Sequence, residues 1–473
     1  MSSLSGSGGW GSLGSADLTI NQMLDTTYSG RINGSGTLAK SGSGTLTLSG
    51  SNNYTGGTTI SAGTLVANHA DGSGVVDALG TGLITLNGGR LHSATDGTIS
   101  NSLFMNAGTT STISADTGKT LTLTNGPGQY FSLMGNLVIG ANDAAGTVVM
   151  DAVPLNISPT AIITVANGRL RDNTNALGAY TASAAETRVA SGATLDFSTS
   201  GGTIRNLQDG ALGLGGAVAW GSSALVIDSG RFSGILDNQQ SGSLIKETTG
   251  TLVLNGDNSA FTGAALVRGG VMIIGESANS SAIIGGEIDV GSGATLGGHG
   301  AVGNATILAD GMLSPGNSIG TLTVNGNLTL GPGSALEIEI ASNGASDRVD
   351  VSGTATVSGS NVLVTTIDPE TSYQNGQLYH ILTADGGISG EFAGVVSNSA
   401  FLDMSLAYGN TAADLKICLK TGCPKPVGPE QPSPALFTTV AQTRNQYATA
   451  GGLDSLAQTG SSLALYNSLL MLS

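Results

Sequence analysis

The sequence predicts a repetitive all-β solenoid, short strands wound around a thin aliphatic core, and three observations carry that expectation. Glycine supplies 75 of 473 residues, against a usual share of about 7%. Charged residues make up 10% and aromatics 4%, where an ordinary soluble domain is about 25% charged. Third, short apolar–polar alternation recurs between glycines along most of the chain. With 39% apolar residues there is enough Leu, Val and Ile to bury a core, but few large side chains to fill a thick one.

The strand phrase is clearest at Gly44-Thr45-Leu46-Thr47-Leu48-Ser49-Gly50. Apolar residues at every second position suit a strand with one buried face. Similar phrases occupy Gly82 to Gly88, Gly118 to Leu123, Gly250 to Gly256 and Gly320 to Gly326, with Asn, Asp, Ser and Gly turns between strands.

A longer unit also repeats. Residues 42–66 align with 248–274: Gly44 with Gly250, Leu46 with Leu252 and Leu48 with Leu254. After a one-residue insertion Tyr54 aligns with Phe261, Gly56 with Gly263, Ile60 with Val267 and Gly63 with Gly270. Each unit holds three short strands, the length of one winding, and such periods mark stacked repeats. One winding cannot bury its apolar stripe alone, so neighbours supply the stability. Roughly fifteen windings between Asp17 and Ile340, at about 4.8 Å each, predict a rod on the order of 70 Å.

A solenoid of residues 1–343 needs its end closed against edge-to-edge association. Residues 344–417 read as that cap: Tyr373, Tyr379, Phe392, Phe401 and Tyr408 are five of the nineteen aromatics in the chain. Gly376 to Thr383 and Phe401 to Tyr408 read as strands with bulkier side chains. Residues 418–434 hold Cys418, Cys423 and five prolines from Pro424 to Pro434, a stiff extended linker. Residues 435–473 change to helical spacing, as in Phe437, Val440, Ala441 and Arg444, and form a short helical tail. The tail stops on the apolar run LALYNSLLMLS, so further chain is expected beyond it. The N-terminal MSSLSGSGGWGSLGS lacks the basic and apolar regions of a signal peptide. No apolar run reaches the 18 residues of a membrane-spanning helix.

The repeats resemble the passenger-associated repeats of bacterial autotransporters, whose pattern runs G-x-G-T-L-x-L-x-G-x-N-x-Y-T-G-G-T. The first unit follows it nearly throughout; the second keeps Gly, Leu, Asn, the aromatic and Thr-Gly. The stretch LSPGNSIGTLTVNGNLTL within residues 297–340, and the segment from Ser346 to Ile417, resemble the pertactin-like, folding-promoting end of such passengers. The tail, with NQYATAGGLDSL and LYNSLL, resembles the junction before an outer-membrane barrel. The resemblance covers residues 36–67 and 240–473; residues 68–240 share only general β-helix character. It implies a right-handed, single-stranded parallel β-helix on the surface of a Gram-negative cell, or secreted from it by the type V route. Its partner in export would be its own C-terminal barrel, which this chain lacks. Cys418 and Cys423 either close a small disulfide loop, which a narrow export pore would pass, or stay unpaired.

The chemistry-bearing residues are sparse. A net charge of −16 argues against nucleic-acid binding, which needs Lys and Arg clusters to displace counterions from phosphates. The histidines His69, His92, His299 and His380 are scattered. Arg169, Arg171 and Asp172 form the densest mixed cluster mid-chain and read as a solvated turn. Asp347, Arg348 and Asp350 lie in the stretch that resembles the structural end of passengers. Asp228-Ser229-Gly230 lacks the flanking context of a protease nucleophile and reads as a strand-end turn. Asp71-Gly72 and Asp96-Gly97 lack the calcium-binding nonapeptide. Tyr54 and Phe261 are either ligand-stacking rings or rings packed on a turn. No catalytic constellation, cofactor or metal site emerges. The expected role is adhesion or cell–cell association, a glycan, a host protein or an identical rod being the partner; virulence follows from the resemblance. The alternatives are a β-helical carbohydrate-active enzyme, or an inert scaffold displaying an N-terminal effector absent from this chain.

Overall fold

A computed structural model describes residues 1–124, 129–151, 154–172, 176–199, 201–210, 214–238, 241–368, 373–399 and 402–419. It is a parallel β-solenoid of about 15 turns. The chain divides into two compact units, Met1–Met272 with Ala282–Gly286, and Ile273–Ser281 with Glu287–Ser473. Phe401, Cys423, the prolines of the linker and the 435–473 tail lie outside the described residues, as does the side chain of Cys418.

In the first unit one sheet stacks Thr45–Leu48, Thr64–Ala67, Arg90–Ser93, Thr110–Ala115, Asn136–Ile139, Ile162–Val165 and Glu186–Val189 in parallel. Its register places Leu46, Leu65, Leu91, Ile113, Ile139, Val165 and Val189 in one line, all fully buried. Alternation makes this line possible, since every second side chain points inward. Burying each such side chain contributes about 1.5–3 kcal/mol. The intervening residues form two outward lines: Thr45, Thr64, Arg90 and Thr112, and beside it Thr47, Val66, His92 and Ser114. A second sheet stacks Gly97–Ile99 through Ile235–Asn238. A third stacks Leu18–Asn21 through Pro154–Ile157.

Turns in the two repeats meet the same steric demand. Gly63 and Gly270 have φ of +61° and +66°, a region that side chains with a Cβ avoid. A Cβ at Gly63 would also sit 2.5 Å from the carbonyl oxygens of Gly42 and Gly44 in the winding beneath.

Two features depart from the sequence reading. Ala176–Ser183 is an α-helix, lying against Pro154–Ile157 and Gly202–Ile204. Its Ala-rich stretch favours helix, and buried Tyr180 meets Phe131 edge-on at 5.4 Å. Arg169–Asp172 is a strand, not a solvated turn. Leu170 and Asp172 are buried, and Arg169 and Arg171 reach the buried Asp196 carboxylate at 2.7 and 3.2 Å. Asp228 and Ser229 do lie between two strands, Leu225–Ile227 and Gly230–Phe232.

In the second unit Ala294–Gly298, Met312–Pro315, Ala335–Ile340, Asn361–Thr366 and Gly394–Ser397 stack in parallel. Thr321–Val324, Arg348–Val351 and Leu378–Ala384 form another parallel run. Leu378–Ala384 then pairs antiparallel with Ala412–Leu419, which pairs antiparallel with Leu402–Tyr408. The parallel edge thus receives a hairpin instead of a further winding. Tyr373, Tyr379 and Phe392 are buried here. The Tyr373 and Tyr379 hydroxyls donate to the carbonyls of Ile340 and Ala341 at 2.9 and 2.7 Å. Tyr408 is 39% exposed, and its hydroxyl accepts the Phe392 N–H at 3.0 Å.

Candidate functional site

The outward lines of the first sheet form the floor and walls of a depression of about 320 Å³. Thr45, Thr47, Thr64, Asn68, Asp116 and Asp143 line it together with Val66, Arg90, His92 and Ala94. Five windings bring together residues that are far apart in sequence.

Its centre is a connected polar network. Arg90 directs one guanidinium nitrogen to both carboxylate oxygens of Asp143, at 2.9 and 3.0 Å. Its Nε donates to Ser114 Oγ at 2.8 Å, and its other terminal nitrogen contacts His92 Nδ1 at 3.2 Å. A guanidinium only donates, so Nδ1 is the bare, accepting nitrogen of His92. The proton therefore sits on Nε2, which donates to Asp116 Oδ1 at 3.0 Å. Ser114 Oγ completes the network by donating to Nδ1 at 2.9 Å. Burial, then the Arg90 charge, hold the His92 pKa below its ordinary value, so the ring is neutral near pH 7. The hydrogen bond from Arg90 lowers the Asp143 pKa from its ordinary value.

Ser114, His92 and Asp116 have the connectivity of a hydroxyl, its base and the group that orients the base. Two facts oppose nucleophilic use. Ser114 is completely buried, and its oxygen already accepts from Arg90. An attacking oxygen must reach a substrate carbonyl, and this one faces neighbouring side chains. What the network does achieve is a stiff floor, because Arg90, His92 and Ser114 are each held by two or more partners.

The repeat residues chosen from sequence lie in the core. Leu46, Leu48, Leu252 and Leu254 are buried, while Gly44 lies against the backbone of Met23 and Leu24, and Gly250 against the Ser229 side chain and the Asp228 carbonyl. Tyr54 and Phe261 are buried rings, and Phe261 tilts against Trp220 at 5.8 Å. The Tyr54 hydroxyl donates to Thr58 Oγ1 at 2.6 Å, which donates to the Leu79 carbonyl at 3.0 Å.

Four further repeat residues escaped the sequence reading. Lys40 and Lys246 are fully buried, at matching positions. Lys40 Nζ donates to the carbonyls of Ser41, Gly42 and Ala62 at 3.0, 2.9 and 3.2 Å. Lys246 Nζ donates to those of Thr248 and Gly269. Burial lowers both lysine pKa values. Asn52 accepts the Ile32 N–H and donates to the Ala78 carbonyl, both at 2.6 Å, so it ties one winding to the next on either side. Asn258 accepts the Leu236 N–H at 2.6 Å. The signal was available: both pairs stand 206 residues apart, the offset of the repeat alignment.

In the second unit, Arg348 pairs with Asp350 at 2.7 Å beside Thr383. The neighbouring Asp347 is buried. Its carboxylate accepts the N–H groups of Gly320 and Glu339, each at 2.8 Å. Burial, helped by the charges of Glu339 and Glu337, pushes it up to about 7. It anchors the loop that follows Pro315.

Comparison with known proteins agrees with this architecture. Residues 38–67 and 244–274 match the passenger-associated-transport-repeat family. Two such repeats set in a parallel β-solenoid fit an autotransporter passenger domain. Over 225 residues, 46% of the chain, the sequence is 30% identical to an extracellular serine protease of Serratia marcescens. The chain spans 20% of that protein's length.

Proposed function

We propose that this chain is a surface-displayed or secreted passenger that mediates adhesion or cell–cell association without catalysing a reaction. The observation that carries the reading is the outward lines of the first sheet, where threonine recurs at Thr45, Thr47, Thr64 and Thr112 above a buried aliphatic line. Each net hydrogen bond contributes only about 0.5–1.5 kcal/mol. Binding strength on such a surface comes from area and from many copies acting together. A barrel of its own is the partner in export, and a glycan, a host protein or an identical chain is the partner in adhesion. Cells displaying the full-length precursor should clump, or bind coated surfaces, better than cells without it. Equal behaviour of the two would remove the support for adhesion.

The serine protease relative and the Ser114–His92–Asp116 connectivity favour a second reading, a hydrolase. A fluorophosphonate probe separates them. Labelling that disappears with Ser114→Ala would establish the hydrolase, and an unlabelled chain is expected.

A further inference from the structure

We propose that the depression built from Thr45 to Asp143 is a binding site for a neutral oligosaccharide. The inference rests on the adhesion reading and names its ligand.

The first argument is hydrogen-bond inventory. The side chains of Asp116 and Asp143 are 49% and 72% exposed, and ionised carboxylates only accept. Thr45, Thr47 and Thr64 add hydroxyls that both donate and accept, and Asn68 adds an amide. A sugar ring offers hydroxyls of the same dual character around its rim, so each lining group finds a complement. Val66 and Ala94 give the floor an apolar strip for the C–H face of a ring.

The second argument is rigidity. Arg90 and His92 are fixed by Ser114, Asp116 and Asp143 at 2.8–3.2 Å. A ligand therefore meets Asp116 and Asp143 already oriented and pays little for ordering them.

The third argument is charge. Asp116 and Asp143 outweigh Arg90, His92 is neutral, and the chain carries −16. Arg90 is already chelated by Asp143. An acidic glycan would meet repulsion and no unspent cation. Among the described residues no Phe, Tyr or Trp lines the depression, so stacking on a large ring adds nothing and affinity per site is on the order of 1 mM. That strength suits a protein displayed in many copies.

The test titrates the intact chain with maltotetraose, cellotetraose and mannotetraose, followed by saturation-transfer NMR and calorimetry. Tetragalacturonate and a glucosamine tetramer serve as anionic and cationic counterparts. At least one neutral tetramer is expected to bind. Asp116→Asn keeps an oxygen for His92 Nε2 and should weaken it about tenfold or more, because a charge-assisted acceptor is lost. Thr47→Val and Thr64→Val remove single hydroxyls at outward strand positions where valine fits, and each should cost a few-fold. Asp385→Asn, in a separate depression beside Thr383, should change nothing. The proposal is overturned if no neutral tetramer binds at millimolar concentration, if the three groove variants bind unchanged, or if a charged tetramer binds more tightly. Cells displaying the full-length Thr47→Val/Thr64→Val chain distinguish this inference from the reading beneath it. Undiminished adhesion by variants that no longer hold sugar leaves the sugar site standing and overturns only its part in adhesion. Absence of adhesion by the unmodified chain sinks the adhesion reading, while sugar binding by the purified chain is decided by its own titration.

Discussion

The repeat at residues 38–67 and the repeat at 244–274 solve one packing problem with different chemistry. Where the first has Tyr54 and Thr58, hydrogen-bonded inside the core, the second has Phe261 and Ala265, both buried. Two hydroxyls are present together or absent together. Keeping one would leave a buried polar group without its partner, which costs about 1–3 kcal/mol, whereas removing both is nearly neutral. The lysines differ in degree: Lys40 binds three carbonyls and Lys246 two. The repeat therefore conserves the accounting of polar groups, and the atoms that satisfy it vary.

Four experiments would break or sharpen this comparison. The largest effect is expected from the lysines. Lys40→Met removes three hydrogen bonds to turn carbonyls and should destabilise by about 3–5 kcal/mol in urea unfolding; Lys246→Met should cost roughly a third less. Equal costs would show that carbonyl count is not what matters. Next, Thr58→Ala should cost about 2 kcal/mol by orphaning the Tyr54 hydroxyl, and Tyr54→Phe about 1 kcal/mol. The double variant copies the second repeat and should be no worse than Thr58→Ala alone, a coupling of about 1 kcal/mol. Strict additivity would refute the paired-hydroxyl account. Third, Asn52→Ala should lose about 1–2 kcal/mol and Asn258→Ala somewhat less, since the Asn258 amide reaches only its own Gly256 carbonyl, at 3.4 Å.

The smallest effect is on pH dependence. Both buried lysines have pKa values below the ordinary 10.5, so the native chain releases these protons before the unfolded chain does. Between the lowered value and 10.5 the unfolded state binds more protons, and stability rises with pH. In a chain carrying both Lys→Met substitutions the urea midpoint should lose that part of its rise, and an unchanged slope would mean the ammonium groups are not burdened by burial.

Much of this fold was legible from glycine spacing and alternation. Thr45–Leu48 reads as a half-buried strand because Leu46 and Leu48 are two apart, and the repeats align without any structure. What escaped depends on register. Arg90, His92, Ser114 and Asp143 meet because successive windings differ in length by a few residues, and the sequence between them carries no mark of those lengths. Lys40 follows Leu-Ala and looks like a surface residue until the offset to Lys246 is noticed. Arg169–Asp172 looked like a turn because its charges were counted without Asp196, which sits one winding on. The helix at Ala176–Ser183 interrupts an otherwise period-two stretch and is announced only by its alanines.

The hairpin of Leu402–Tyr408 and Ala412–Leu419 bears on how the molecule meets mechanical load. Parallel windings joined edge to edge come apart one strand at a time when the chain is drawn from the N-terminal side, each rupture sparing the next. The seven backbone partners that join the two hairpin strands lie across a pull directed along those strands and must yield together. Under tension the parallel strands would thus yield one at a time, and the two hairpin strands as a block.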